Sequence, residues 1–144
     1  MSCLEFEQRR ERAFTRVAWV LKDFWECHRS GHTRIFDLLM HHDQDLIYMG
    51  RSVKGGGHRE HLVPCAMLVN QAFHMYEHGF ELSDVACLMS KYLRVADITK
   101  EEAWRMDYEC KMKTTMPSGW NFETGVVTAR LDQVGIKLVS DGKA

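Results

Sequence analysis

The stretch GRSVKGGGHREHLVPCAML, residues 50–68, decides how the chain is read. Gly55, Gly56 and Gly57 run straight into His58, Arg59, Glu60 and His61, and Pro64 follows three residues later. Glycine and proline at such places are backbone devices, whereas histidine and glutamate carry chemistry. Upstream, DLIYMGRS at 45–52 is rich in strand formers and predicts a β-strand entering the glycine loop. Downstream, HLVPC is short and apolar. Pro64 suits the first position of a helix, because the N–H it lacks has no helical partner there. CAMLVNQAFHMYEH then predicts a helix that stops at Gly79, a residue type suited to the position just past a helix end.

The flanking chain reads mostly as helix. Over residues 4–28, Phe14, Val17, Ala18, Leu21 and Trp25 share one face, and Arg9, Arg10, Arg12, Lys22 and Glu26 lie elsewhere. That periodicity predicts a long amphipathic helix ending near Ser30 and Gly31. A shorter helix is expected over 33–42. Ser83 is the expected cap of a helix over DVACLMSKYL, and RVADI at 94–98 reads as a strand. Thr99 and Glu102 have the spacing of a capping box, which starts a helix over 100–109. A last helical segment is expected over roughly 124–134. The fold class is therefore α+β: a mostly helical single domain with a small central β-hairpin. Its parts are an N-terminal helical segment (1–43), a middle segment (45–115), and a C-terminal helix and tail (116–144).

Composition bounds the function. A chain of 144 residues with 45% hydrophobic and 27% charged residues is long enough for one domain with its own core. A formal net charge of −1 argues against indiscriminate coating of nucleic acid, although a local basic patch can still hold phosphate. The five cysteines, at 3, 27, 65, 87 and 110, form no tight pair, so free thiols in a reducing compartment are expected. No apolar run approaches roughly 18 residues, and no leader pattern opens the chain. The expectation is a soluble, cytoplasmic protein without a membrane span; its oligomeric state is open.

The residues richest in chemistry are HREHLVP and, later, LRVADITKEEAWRMD. A histidine titrating near pH 6.5 can take a proton from water at neutral pH. A carboxylate is a hard oxygen ligand suited to Mg²⁺ or Mn²⁺. Glu60 and His61 can thus divide the work, one holding a cation and the other addressing water. The helix over 100–109 presents further carboxylates, with Ala103 and Asp107 one turn apart.

The acid-His61-Leu62-Val63-Pro64 segment, followed by a strand and a capped helix, resembles the HNH, or His-Me finger, nuclease motif. That resemblance, over about residues 47–115, implies a ββα-metal finger holding one catalytic divalent ion. His61 is then the general base, Glu60 a metal ligand and Asp107 the second ligand. Arg59, Lys111 and Lys113 are the implied phosphate clamps, with Arg59 stabilising the transferring phosphate. The chain departs from the motif in three places. Ala103 stands where many members have a ligand histidine, the middle asparagine has no counterpart, and a helical pair separates the two halves. Glu101, Glu102 or solvent is the expected source of the missing ligand.

Other readings stand beside this one. KMKTTMPSGW at 111–120 is either a loop over a nucleic-acid groove, with Trp120 stacking on a base, or a Trp-anchored loop over a core. HMYEH at 74–78 has the His-x-x-Glu-His spacing of some zinc hydrolases, which would make zinc the metal, through His74, Glu77 and His78. Cys27, His28 and His32 lack the fourth ligand of a structural zinc site. His41 and His42 read as ordinary surface or core histidines. The leading expectation is an HNH-type endonuclease with Mg²⁺ or Mn²⁺, acting on DNA before RNA. The alternative is a non-catalytic, phage-type binding protein or inhibitor of a host nucleoprotein complex that keeps a degenerate finger.

Overall fold

The computed structural model describes residues 2–41 and 45–139. The fold is α+β and mostly helical, as the pattern predicts, with a four-stranded sheet in the order β2-β3-β1-β4. The chain forms two compact units, one from residues 1–47 and 65–93 and the other from 48–64 and 94–144. None of the described helices is long and apolar enough to cross a membrane.

The first unit is four helices: α1 (Cys3–Glu26), α2 (Ile35–Leu39), α3 (Cys65–Glu77) and α4 (Leu82–Tyr92). The apolar stripe of α1 buries Phe14, Val17, Ala18 and Leu21 against the other three helices. Its start is set by Ser2, whose side chain accepts from the Glu5 N–H while Glu5 reaches back to the Ser2 N–H. At the end of α3, Gly79 takes a φ of +81°, as expected for a residue just past a helix. Two boundaries differ from expectation. The helix expected over 33–42 covers only Ile35–Leu39, and His42 lies outside the described residues. The cap of α4 is Glu81 rather than Ser83, because Asp84 accepts from the Glu81 N–H at 2.9 Å and so starts the helix two residues earlier.

The second unit holds β1 (Ile47–Ser52) but for its first residue, β2 (His58–His61), β3 (Arg94–Ile98), α5 (Lys100–Trp104), α6 (Ala129–Val134) and β4 (Leu138–Val139). Between β1 and β2 the glycines do backbone work. Gly55 and Gly57 sit at φ values of +122° and +119°, where an L side chain is strained. The Gly55 N–H closes the turn on the Ser52 carbonyl at 2.9 Å. β2 and β3 pair antiparallel, with Glu60 opposite Ala96 and Arg59 opposite Asp97. α5 opens on the expected capping box: Thr99 accepts from Glu102 N–H and Glu102 accepts from Thr99 N–H, each at 3.0 Å. The other Glu102 oxygen accepts from the Ser52 hydroxyl at 2.9 Å, which ties the helix start to β1. Beyond Trp104 the helix continues to Glu109 as a π-helical turn, with the Cys110 N–H bonded to the Arg105 carbonyl.

A core of Leu62, Ala96 and Ile98 from the sheet region, Ala103 and Met106 from the helix, and Met112, Leu131 and Ile136 seals this unit. The last helix is shorter than expected because the Asn121 side chain accepts from the Glu123 and Thr124 N–H groups and holds 121–125 as a turn. β4 was not expected from the sequence: two residues are too few to show a period, and their register with β1 is set by pairing Val139 with Arg51.

The caps make a direct test. Thr99→Ala is expected to lower stability by about 1 kcal/mol, whereas Ser83→Ala, exposed inside α4, stays within about 0.5 kcal/mol of the parent. Urea midpoints at unchanged slope read the difference.

Candidate functional site

Strand β2, strand β3 and the helix through 100–109 form a ββα arrangement, with α5 packed against β2. Strand geometry sends alternate side chains to opposite faces, so His58 and Glu60 share one face and Arg59 lies on the other. The contacts agree. His58 Nε2 lies 3.1 Å from Glu60 Oε1, while Arg59 Nε meets Asp97 Oδ1 across the strand pair at 3.2 Å and stands over the Tyr48 ring.

Glu60 is the electrostatic centre of the site. Burial pushes its carboxyl above the ordinary carboxylate range; the Arg130 guanidinium and His58 pull it back, and the Asp107 charge raises it further. Asp107 is therefore within electrostatic reach of Glu60. It sits on the π-helical turn, and its Oδ1 is shielded from solvent with no hydrogen bond. π-turns recur at functional sites, because the extra residue re-aims side chains.

Arg130, on α6, was not singled out from the sequence and organises the site. It is only 1% exposed. Its Nε donates to the Leu62 carbonyl at 3.2 Å, Nη1 to the Met112 carbonyl at 2.7 Å, and Nη2 to the His61 carbonyl. Nη2 also lies 3.5 Å from Glu60 Oε2, at the long limit for such a contact. A buried guanidinium is expensive to desolvate, and three carbonyls with one carboxylate are what make it tolerable. Nothing in the local sequence TARLDQV distinguishes it from a surface arginine.

The remaining expected residues fall as follows. His61 ends β2, half-buried, with Nδ1 shielded from solvent. Glu102 is committed to capping α5 and to Ser52, and Glu101 is exposed, so neither joins Glu60 and Asp107. Lys111 is exposed with a φ of +56°, and the Lys113 ammonium lies 5.6 Å from the centroid of the exposed Tyr108 ring. Trp120 packs into its own loop: the indole N–H donates to the Val126 carbonyl, Phe122 meets it edge-on, and its ring lies against Gly125. In the first unit Glu77 accepts the Trp25 indole N–H at 2.9 Å, and His78 is tied to the His74 carbonyl. Among the described residues no group of three or more His, Cys, Asp or Glu is placed to hold a metal ion, at positions 74–78 or elsewhere.

No family model, no curated protein and no solved structure matches the chain.

Two outcomes are expected in metal-free buffer. Arg130→Met should cost about 3–5 kcal/mol by urea unfolding, since it strands three carbonyls and Glu60. Glu60 binds its proton more tightly folded than unfolded, so it lowers stability as pH rises from its ordinary value of 4.5 through the raised folded value. Glu60→Gln should therefore flatten the fall in melting temperature over that window.

Proposed function

We propose that this ββα finger hydrolyses phosphodiester bonds in nucleic acid, DNA in the first instance, with Mg²⁺ or Mn²⁺ at Glu60 and Asp107. The observation that carries the reading is that these two carboxylates, one from β2 and one from the π-turn after α5, feel each other's charge although they lie 47 positions apart in the sequence. It matches the HNH-like order of acid, histidine, strand and capped helix. The donor set fits a hard cation: the Glu60 side chain is largely buried, and one Asp107 oxygen is shielded from solvent without a hydrogen bond. With only two such side chains, water would complete the shell, which Mg²⁺ tolerates. When bound, the ion offers charge stabilisation to the phosphodiester. His61 is the candidate to take the proton from the attacking water. Arg59 lies on the opposite face of β2 from Glu60 and must both leave Asp97 and cross the strand edge to meet the transferring phosphate, the role proposed for it. Lys111 and Lys113, both exposed, are candidates for contacts to flanking phosphates. Five free cysteines accord with a cytoplasmic setting.

One observation favours the second reading, a binding protein without catalysis. Glu60 already has a guanidinium at one oxygen and His58 at the other. An internal cation of this kind could serve a finger kept as a scaffold for docking onto nucleic acid or a host protein complex.

Nicking of supercoiled plasmid separates the two. The hydrolytic reading expects relaxed circles with Mg²⁺ or Mn²⁺, none with EDTA, and loss of at least about a hundredfold in rate for His61→Ala at an unchanged circular-dichroism spectrum. Absence of cleavage of DNA and RNA with either ion, together with no Mn²⁺-dependent rise in melting temperature, would leave the binding reading.

A further inference from the structure

Helix α1 carries a second feature that the finger does not use. At 3.6 residues per turn, Arg9, Arg12 and Arg16 fall within about 60° of one another, and Trp19 and Lys22 extend the same stripe to about 140°. Between Gln8 and Lys22 the one acid is Glu11, at the stripe's edge. Arg9, Arg12 and Arg16, with Met40, His41 and the acid Asp45 opposite, line a groove of about 470 Å³. The Arg16 guanidinium is fixed there, its Nε and Nη2 donating to the Leu39 carbonyl at 3.1 and 2.8 Å. Trp19 is 52% exposed, with the Lys22 ammonium 5.6 Å from its ring centroid.

A solvated polar face does not need this composition. Cations one turn apart on a helix repel each other, and here four cations meet two acids, Glu11 at the stripe's edge and Asp45 in the groove wall, which offset them only in part. A large indole left half in water gains nothing by its exposure. Both features are relieved by one class of partner, a polyanion carrying flat apolar rings. From Arg9 to Lys22 the helix rises by about 20 Å, a run suited to several successive phosphates rather than to one. An exposed indole among the cations suits an unpaired base, whose π-face a duplex would hide.

We infer that the Arg9–Arg12–Arg16–Trp19–Lys22 face of α1 is a docking surface for single-stranded nucleic acid, phosphates on the guanidinium groups and a base on Trp19. The inference shares the partner class proposed above, but requires neither metal nor cleavage.

The test is fluorescence anisotropy with labelled oligothymidylate in EDTA, so that a failure of hydrolysis cannot affect it. Wild-type protein should bind, and the logarithm of the binding constant should fall linearly with the logarithm of salt. Arg9→Ala/Arg12→Ala should weaken binding about tenfold or more and reduce the salt slope by about 1.4, two phosphate contacts at about 0.7 each. Trp19→Ala should weaken it by about tenfold through lost stacking. Arg12→Lys, which keeps the charge and the helix, should retain most of the binding. The inference is overturned if wild-type protein does not bind, or if the double variant binds equally well. It is also overturned if a duplex binds as tightly while Trp19→Ala is neutral, or if polyglutamate competes as well as the oligonucleotide.

Discussion

One buried guanidinium holds the second unit together. Arg130 gathers the carbonyls of His61 and Leu62, at the end of β2, and of Met112, just past the π-turn, and its remaining side faces Glu60. A charge at that depth is stable only while every partner stays in place. It therefore fixes the end of the strand that carries Glu60 and His61, and fixes the chain just beyond Asp107. The chain leaves this unit after Pro64 and returns at Arg94, so β2 and β3 are not joined by a short turn. Their antiparallel pairing and the guanidinium anchor take over the work that a tight hairpin turn would do.

The same anchor shapes the chemistry. Burial of the Glu60 carboxylate is what chiefly raises its pKa, and the Asp107 charge adds to that rise. Arg130 offsets part of it, but three of its bonds go to carbonyls and the Glu60 contact is long. What remains is a site with surplus negative charge and one carboxylate oxygen without a hydrogen bond, the condition a hard cation relieves. The basic face of α1 is the converse case, surplus positive charge on a surface with an exposed indole.

How much of this was legible in the sequence depended on how local each signal was. The Thr99–Glu102 capping box, the strand RVADI and the stop at Gly79 are carried by neighbouring residues, and they stand where the pattern puts them. Glu60 and Asp107 were joined from the sequence only through the resemblance of the acid-histidine-proline segment, and what the structure adds is that the Asp107 charge acts on Glu60. Arg130 could not be found, since its role depends on carbonyls 18 to 69 positions away and not on its neighbours. The Ser83 cap failed for a similar reason at short range: Asp84 accepts from the Glu81 N–H, so the helix begins at Leu82 and Ser83 lies inside it. Trp104 and Tyr108, one turn apart, exposed and in ring contact, carry nothing in the sequence that marks them as exposed.

Whether the surplus negative charge of the finger is there for a cation is most directly seen by soaking crystals in Mn²⁺ and computing an anomalous difference map. The account predicts one peak bounded by Glu60 and Asp107, with Arg130 still on its three carbonyls. A map without density at those carboxylates, with Glu60 still held between Arg130 and His58, would contradict it.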